Sequence, residues 1–185
     1  MLIPIHPADV VKNITAKDIT GTNVVFINMP LREAAVPTTT PQGPLLLVTN
    51  LRDNYGVNAT IVDLNFYRVP DESSRALGLP SGRPLTRLEA RSLIEKHFGV
   101  HGRPALVAFS GIITTLQWQE DLAKIIRELT PEVFLVSGNG LATELRNPFN
   151  GLFNYIPELD GLAHSEGDDV ILKIVYDAKL IKEMG

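Results

Sequence analysis

Apolar and polar positions along the chain fall into two kinds of block. Short apolar runs of strand length alternate with longer stretches in which apolar residues recur every three to four positions, a pattern that predicts βαβ units on a parallel sheet. The first strand is "NVVFIN" (Asn23 to Asn28). A long, proline-punctuated loop, "MPLREAAVPTTTPQG", leads to "PLLLVTNLRDNYG", a helix with Leu45, Val48, Leu51 and Tyr55 on one face and a stop at Gly56. "ATIVDLN" is the second strand, and "FYRVPDESSRALGLPSGRPL" reads as a surface excursion. The crossover helix "TRLEARSLIEKHFG" has Thr86 as N-cap and Glu89 completing a capping box.

"ALVAF" opens the third strand, which breaks at Ser110-Gly111. In the following helix Leu116, Trp118, Leu122, Ile125, Ile126 and Leu129 form the inner face, and Lys124, Arg127 and Glu128 are expected to face outward. "EVFLVSGNG" is the fourth strand and its loop, "GLATELRN" a short helix, "DGLAHSEG" (Asp160 to Gly167) a fifth strand with a polar end, and "DDVILKIVYDAKLI" the last helix. The expectation is an α/β fold of the Rossmann-like or flavodoxin-like kind: an open five-stranded parallel sheet, order 2-1-3-4-5, with helices on both faces. Residues 1–20 have weak periodicity and read as an appended segment ahead of one domain over 21–185.

Composition narrows the function. The chain has 185 residues, 44% hydrophobic and 21% charged, which is ordinary for a single globular domain. A net charge of −4 without basic clusters or interleaved aromatics argues against nucleic acid and anionic membrane as partners. The absence of cysteine excludes disulfides, thiolate-bound zinc and iron–sulfur ligation by this chain, and fits a cytoplasmic setting. The opening "MLIPIHPADVV" is not a signal peptide, and no apolar run approaches the roughly 20 residues that span a bilayer.

In a parallel sheet the strands' carboxyl ends share one edge. Here they carry "NMPLRE", "SGIITT", "SGNG" and "HSEGDD". Glycines at three of these ends allow close approach of a ligand, and Ser110, Thr114, Thr115 and Ser137 offer uncharged donors and acceptors. Any one such loop serves equally as a tight turn or helix cap; three on one edge point to a binding site. No loop carries a G-x-G-x-x-G or G-x-x-x-x-G-K-[ST] pattern, which disfavours a dinucleotide or nucleoside triphosphate.

The order and spacing of "NMP", "PQGPLLLVTNLRDNYGVNATIVDLN", "FSGIITT", "SGNG" and "SEGDD" over roughly Asn23 to Leu180 resemble the cobalamin-binding domain of cobalamin-dependent radical S-adenosylmethionine enzymes. The resemblance implies that Ser110, Gly111, Ile112, Thr114 and Thr115 meet the corrin side chains and nucleotide tail. It implies that Gly138, Asn139 and Gly140, next to Ser137, let that tail pass between sheet and helix, that Glu166 and Gly167 close the far side of the pocket, and that Met29, Pro30, Leu31 and Arg32 lie under the ring. His164 is near the same edge, where it reads as a ligand contact or as a polar strand-end residue. Asn139 stands where that family often has a second glycine, and Ser165 and Asp168 replace a glycine and a glutamate.

The loop after the first strand contains no histidine, so the resemblance implies corrinoid held base-off and His-off, with no histidine as lower ligand. His97 and His101 read as helix-end residues. A C-x-x-x-C-x-x-C motif is impossible without cysteine, so the iron–sulfur cluster and S-adenosylmethionine are expected on a catalytic domain, fused or separate, that performs the methyl transfer or related reaction. The alternatives are a flavodoxin-like flavin carrier and a non-catalytic signalling or interaction domain. A receiver-like phosphoacceptor is disfavoured, because Asn28-Met29 and Ser110 occupy the positions where aspartates are needed.

Overall fold

The apolar runs pair as parallel strands, and the three central ones are buried on both faces. A computed structural model describes residues 13–30, 40–145, 147, 151–163 and 167–184. Its main sheet contains β1 (Asn23–Asn28), β2 (Asn58–Asp63), β3 (Leu106–Ser110), β4 (Phe134–Gly138) and β5 (Gly161–Ala163). They are all parallel, in the spatial order β2-β1-β3-β4-β5, the predicted 2-1-3-4-5 arrangement.

Alternation along each strand divides the core in two. Val25, Ile27, Val107, Phe109 and Leu135 pack against α2 (Arg87–His101) and α3 (Leu116–Leu129), through Ile94, Phe98, Leu122 and Ile126. Val24, Phe26, Leu106, Ala108 and Val136 face the opposite way, toward α1 (Gln42–Tyr55) and α4 (Gly167–Met184), through Val48, Leu51, Ile171 and Val175. Burying each such side chain contributes about 1.5–3 kcal/mol, which is why both faces read as continuously apolar in the sequence. The helix at Ala16–Ile19 belongs to this second layer: Ile19 is fully buried there and Lys179 donates to the Asp18 carbonyl at 2.8 Å.

Two helix faces differ from the sequence expectation. In α1 the buried residues are Pro44, Val48 and Leu51, whereas Leu45 is exposed, because the helix turns its Pro44 side to the sheet. In α3 Arg127 does not face outward. Its guanidinium donates to the carbonyls of Pro131 (3.0 Å) and Val133 (2.7 Å) and pairs with Asp160 at 2.6 Å. Asp160 in turn accepts from the Leu135 amide, so one arginine ties the end of α3 to the entries of β4 and β5.

The proline-rich excursion is structured. Arg68–Val69 and Arg83–Pro84 form a short antiparallel ribbon around a helix at Glu72–Ala76. Arg83 pairs with Asp71 at 2.7 Å and with Glu89 at 2.8 Å, locking the ribbon onto the first turn of α2. Glu89 is also the capping-box residue, accepting from the Thr86 amide. The Arg83 guanidinium and the Thr86 amide hold its carboxyl down at about 2. Because the folded state depresses this pKa, the stabilisation is complete above the carboxyl's unfolded value near 4.5 and is lost as the pH falls toward 2. Glu89→Gln is therefore expected to lower the urea midpoint at pH 7, with the difference from wild type closing between about pH 4.5 and 2. A difference that stays constant over that range would contradict this assignment.

Candidate functional site

Register brings the strand ends level. Asn28 is paired with both Asp63 and Ser110, Ser110 with Gly138, and Gly138 with Ala163, so one row crosses the whole carboxyl edge. The polar loops therefore start from a common level, at the place where open α/β sheets bind ligands.

Two adjoining cavities open along this row. The first, about 250 Å³, lies between the sheet and the pair α1 and α4. Its walls are mainly apolar: Phe26, Leu47, Ala108, Val136, Ile171 and Ile174. The second, about 270 Å³, carries more polar side chains, Asn28, Thr40, Gln42, Asn65, Ser110 and Asn139, set among Pro41, Pro44 and Ile112. Gly43, Pro44, Ser110 and Asn139 line both cavities, and among the described residues none that lines either one carries an ionisable side chain. At the inner corner of the second, Asn28 donates to Asp63 at 2.8 Å and the Asn65 amide donates to the same carboxylate oxygen, fixing the amide of Asn28.

The residues named from the sequence divide into groups. Ser110, Gly138, Asn139 and Gly167 line the apolar cavity, and Ser110, Gly111, Ile112 and Asn139 line the polar one. Gly140 opens the short helix Gly140–Glu144, its amide donating to the Asn139 side chain at 2.7 Å. Thr114 is exposed in the 3-10 turn Ile113–Thr115 and lines neither cavity.

Thr115 and Ser137 are fully buried, with both hydroxyls engaged inside the protein. Ser137 donates to Gln119 Oε1 at 2.7 Å, and Thr115 donates to the Ile112 carbonyl at 2.8 Å. Neither hydroxyl is available to a ligand. Met29 is also fully buried: it continues the Val25 and Ile27 side of β1 into the core beneath α2 and α3. Pro30 is buried beside it. Leu31, Arg32, His164 and Glu166 lie outside the described residues.

The sequence reading missed the helix-borne half of the site. Gly43, Pro44 and Leu47 from α1 and Ile171 and Ile174 from α4 close the apolar cavity, and Asn28, Gln42 and Asn65 furnish the polar one. Periodicity marked the first set only as ordinary helix, whereas the isolated amides beside strand ends were a readable signal.

Asn139 has a backbone conformation of its own. Its φ of 74° and ψ of −166° fall in a region that is essentially glycine's, and it is the one non-glycine residue with positive φ among the described residues. The site thus keeps a glycine-like turn between β4 and the next helix while adding an amide that both cavities share.

His97 and His101 are remote from this edge. The His101 carbonyl accepts from Asn23 at the amino end of β1, and His97 bonds Thr60 at 2.8 Å. Burial, with His101 beside it, pushes the His97 imidazole below its ordinary value. Among the described residues no group of three or more His, Asp or Glu is placed to hold a metal ion, and no helix is long and apolar enough to cross a membrane.

Compared with protein-family models and with curated proteins, the sequence matches none.

Replacing Asn139 by glycine is expected to raise stability by about 1 kcal/mol, since relief of the strained backbone outweighs the few tenths lost with the side-chain cap. Asn139→Ala, which keeps the strain and loses the cap, is expected to lower it. Urea titrations of the two variants check the order.

Proposed function

We propose that the chain is a corrinoid-binding domain that holds cobalamin base-off and His-off for a radical S-adenosylmethionine methyltransferase or related enzyme. The observation that carries this reading is the pair of adjoining cavities on the carboxyl edge, whose described lining residues carry no ionisable side chain. Cobalamin presents a ring fringed with neutral amides and a planar apolar base on a flexible tail. The amide-bearing cavity suits the fringe, and the apolar cavity between the sheet and helices α1 and α4 suits the base. Hydroxyl and amide groups match the fringe by exchanging hydrogen bonds without paying for a buried charge.

Bound corrinoid would supply the methyl-carrying cobalt centre. The chain's own part is to exclude water from the displaced base and to orient the ring. Ser110 and Asn139, shared by both cavities, would hold the junction between ring and tail. The reacting domain, with its iron–sulfur cluster and S-adenosylmethionine, would meet the ring's upper face from beyond the strand ends.

An absorbance spectrum of the purified protein after incubation with hydroxocobalamin tests the proposal directly. A retained base-off corrinoid spectrum supports it; retention of flavin mononucleotide instead, or of neither, sinks it. Gly138 supplies a sharper test. A Cβ there meets Ala163 at an ordinary 3.5 Å, so the position accepts a side chain without backbone conflict, but the longer leucine fills the apolar cavity. Gly138→Leu is expected to fold and to weaken cobalamin binding by about a hundredfold. Unaltered affinity would mean that the tail lies elsewhere.

Alanine substitution of each of the four histidines in turn is expected to leave the base-off spectrum unchanged. Loss of nitrogen superhyperfine coupling from the cobalt(II) electron paramagnetic resonance signal in any one of them would identify a lower histidine ligand and contradict the His-off mode.

A further inference from the structure

Ser110 at the end of β3 lines both cavities, the turn that follows it into α3 lines the second, and a buried polar chain lies directly beneath that turn. Gln119, Thr115 and Ser137 are each fully buried. Ser137 at the end of β4 donates to Gln119 Oε1 at 2.7 Å, and Gln119 Nε2 donates to Thr115 Oγ1 at 3.4 Å. Thr115 Oγ1 closes the turn from both sides, accepting from the Ile112 amide at 3.1 Å and donating to the Ile112 carbonyl at 2.8 Å.

The fit against the turn is close. A Cβ on Gly111 would stand 2.3 Å from Gln119 Nε2 and 2.6 Å from Thr115 Oγ1, so the backbone of the cavity wall rests on these two side chains. Glycine at 111 is explained by this packing and not by an approaching ligand. A glutamine on the inner face of an amphipathic helix has no packing advantage over leucine there, and its polar burial is offset only because every link of the chain is made.

We infer that Gln119 is a positioning residue for the ligand edge: through Thr115 and Ser137 it fixes the Ser110–Ile112 wall relative to the end of β4. The inference rests on the corrinoid reading of that edge for its binding readout, and the wall's own amide provides a readout independent of it.

Gln119→Met keeps the side-chain volume and removes both donor and acceptor. Hydroxocobalamin is expected to bind this variant about tenfold more weakly, and the Ile112 amide to exchange its hydrogen about tenfold faster, as one such bond is lost. Gln119→Glu separates positioning from mere packing. As a neutral acid, the introduced carboxyl donates to Thr115 and accepts from Ser137, reproducing the glutamine. Burial raises its pKa above the ordinary carboxyl value of about 4.3. Ionised, it has no donor for Thr115 and draws the threonine's hydrogen away from the Ile112 carbonyl. Affinity and Ile112 protection are therefore expected to equal wild type at low pH and to fall about tenfold as the pH rises through that raised pKa, beyond any change in the wild type over the same range.

Unchanged Ile112 exchange in Gln119→Met, or a Gln119→Glu variant that follows the wild type at every pH, would overturn the inference. Should wild-type protein bind no hydroxocobalamin, the exchange measurement still decides. Faster exchange in Gln119→Met with recovery of Gln119→Glu at low pH keeps Gln119 as the positioning residue and rejects only the corrinoid reading.

Discussion

Everything at the carboxyl edge depends on the register of the parallel sheet. Side chains along a strand alternate between faces, so a slip of one residue would carry every core side chain to the wrong layer. Here both layers are apolar: Val25 and Ile27 face one, Val24 and Phe26 the other. A shifted β1 would still bury hydrocarbon, but against partners of the wrong shape, and close packing in both layers is what excludes it. The row from Asp63 through Asn28, Ser110 and Gly138 to Ala163 is a by-product of that packing. The core thus sets the level of the loops, and the loops need only the right chemistry.

Charge is distributed in the opposite sense. The ion pairs Arg87–Asp121 and Arg83–Glu89 sit around the outer helices, with Arg87 also stacked 3.3 Å over Trp118. The cavities, by contrast, are lined by amides, hydroxyls and hydrocarbon. A charge placed in such a recess would need a buried partner to offset its desolvation, whereas amides are satisfied by any neutral donor or acceptor. A ligand held by these described walls would be recognised by shape and hydrogen bonding, which ionic strength screens little.

Much of the fold was legible because the signals were redundant. Strand runs buried on both faces, the Thr86–Glu89 capping box and the stop at Gly56 each agree with the structure on their own terms. The failures occurred where one residue type serves two environments. Arg127 looks like a solvent-facing helix residue, yet its guanidinium satisfies carbonyls that no backbone partner reaches. Thr115 and Ser137 look like ligand hydroxyls and are structural, because Gln119, which nothing in a hydrophobic pattern marks, lies between them. Met29 lies one residue past β1 and still obeys its alternation, so its side chain goes to the core. Ser110, Gly138 and Asn139 were readable as residues lining the edge because a strand end in a parallel sheet fixes position irrespective of side-chain direction. Leu47 and Ile174 were not, since whether a helix residue meets the sheet or an opening in it is decided by residues distant in sequence.

The apolar cavity is continuous with the core that supports it. Phe26, Ala108, Val136 and Ile171 belong to the layer under α1 and α4 and also line the cavity. Gly43, Ala108, Gly138 and Ala163 occupy its walls with little or no side chain, so the layer that closes tightly lower down ends here with a gap. Such walls forgo dispersion contacts that a filled core would have. A planar apolar group entering the gap restores them, and it does so only in the folded chain, because the walls come from strands and helices far apart in sequence. Binding and folding are then linked by mass action: each tenfold excess of ligand over its dissociation constant adds about 1.4 kcal/mol to stability. The small residues that leave the edge underpacked are thus the same residues through which a ligand would complete the hydrophobic layer.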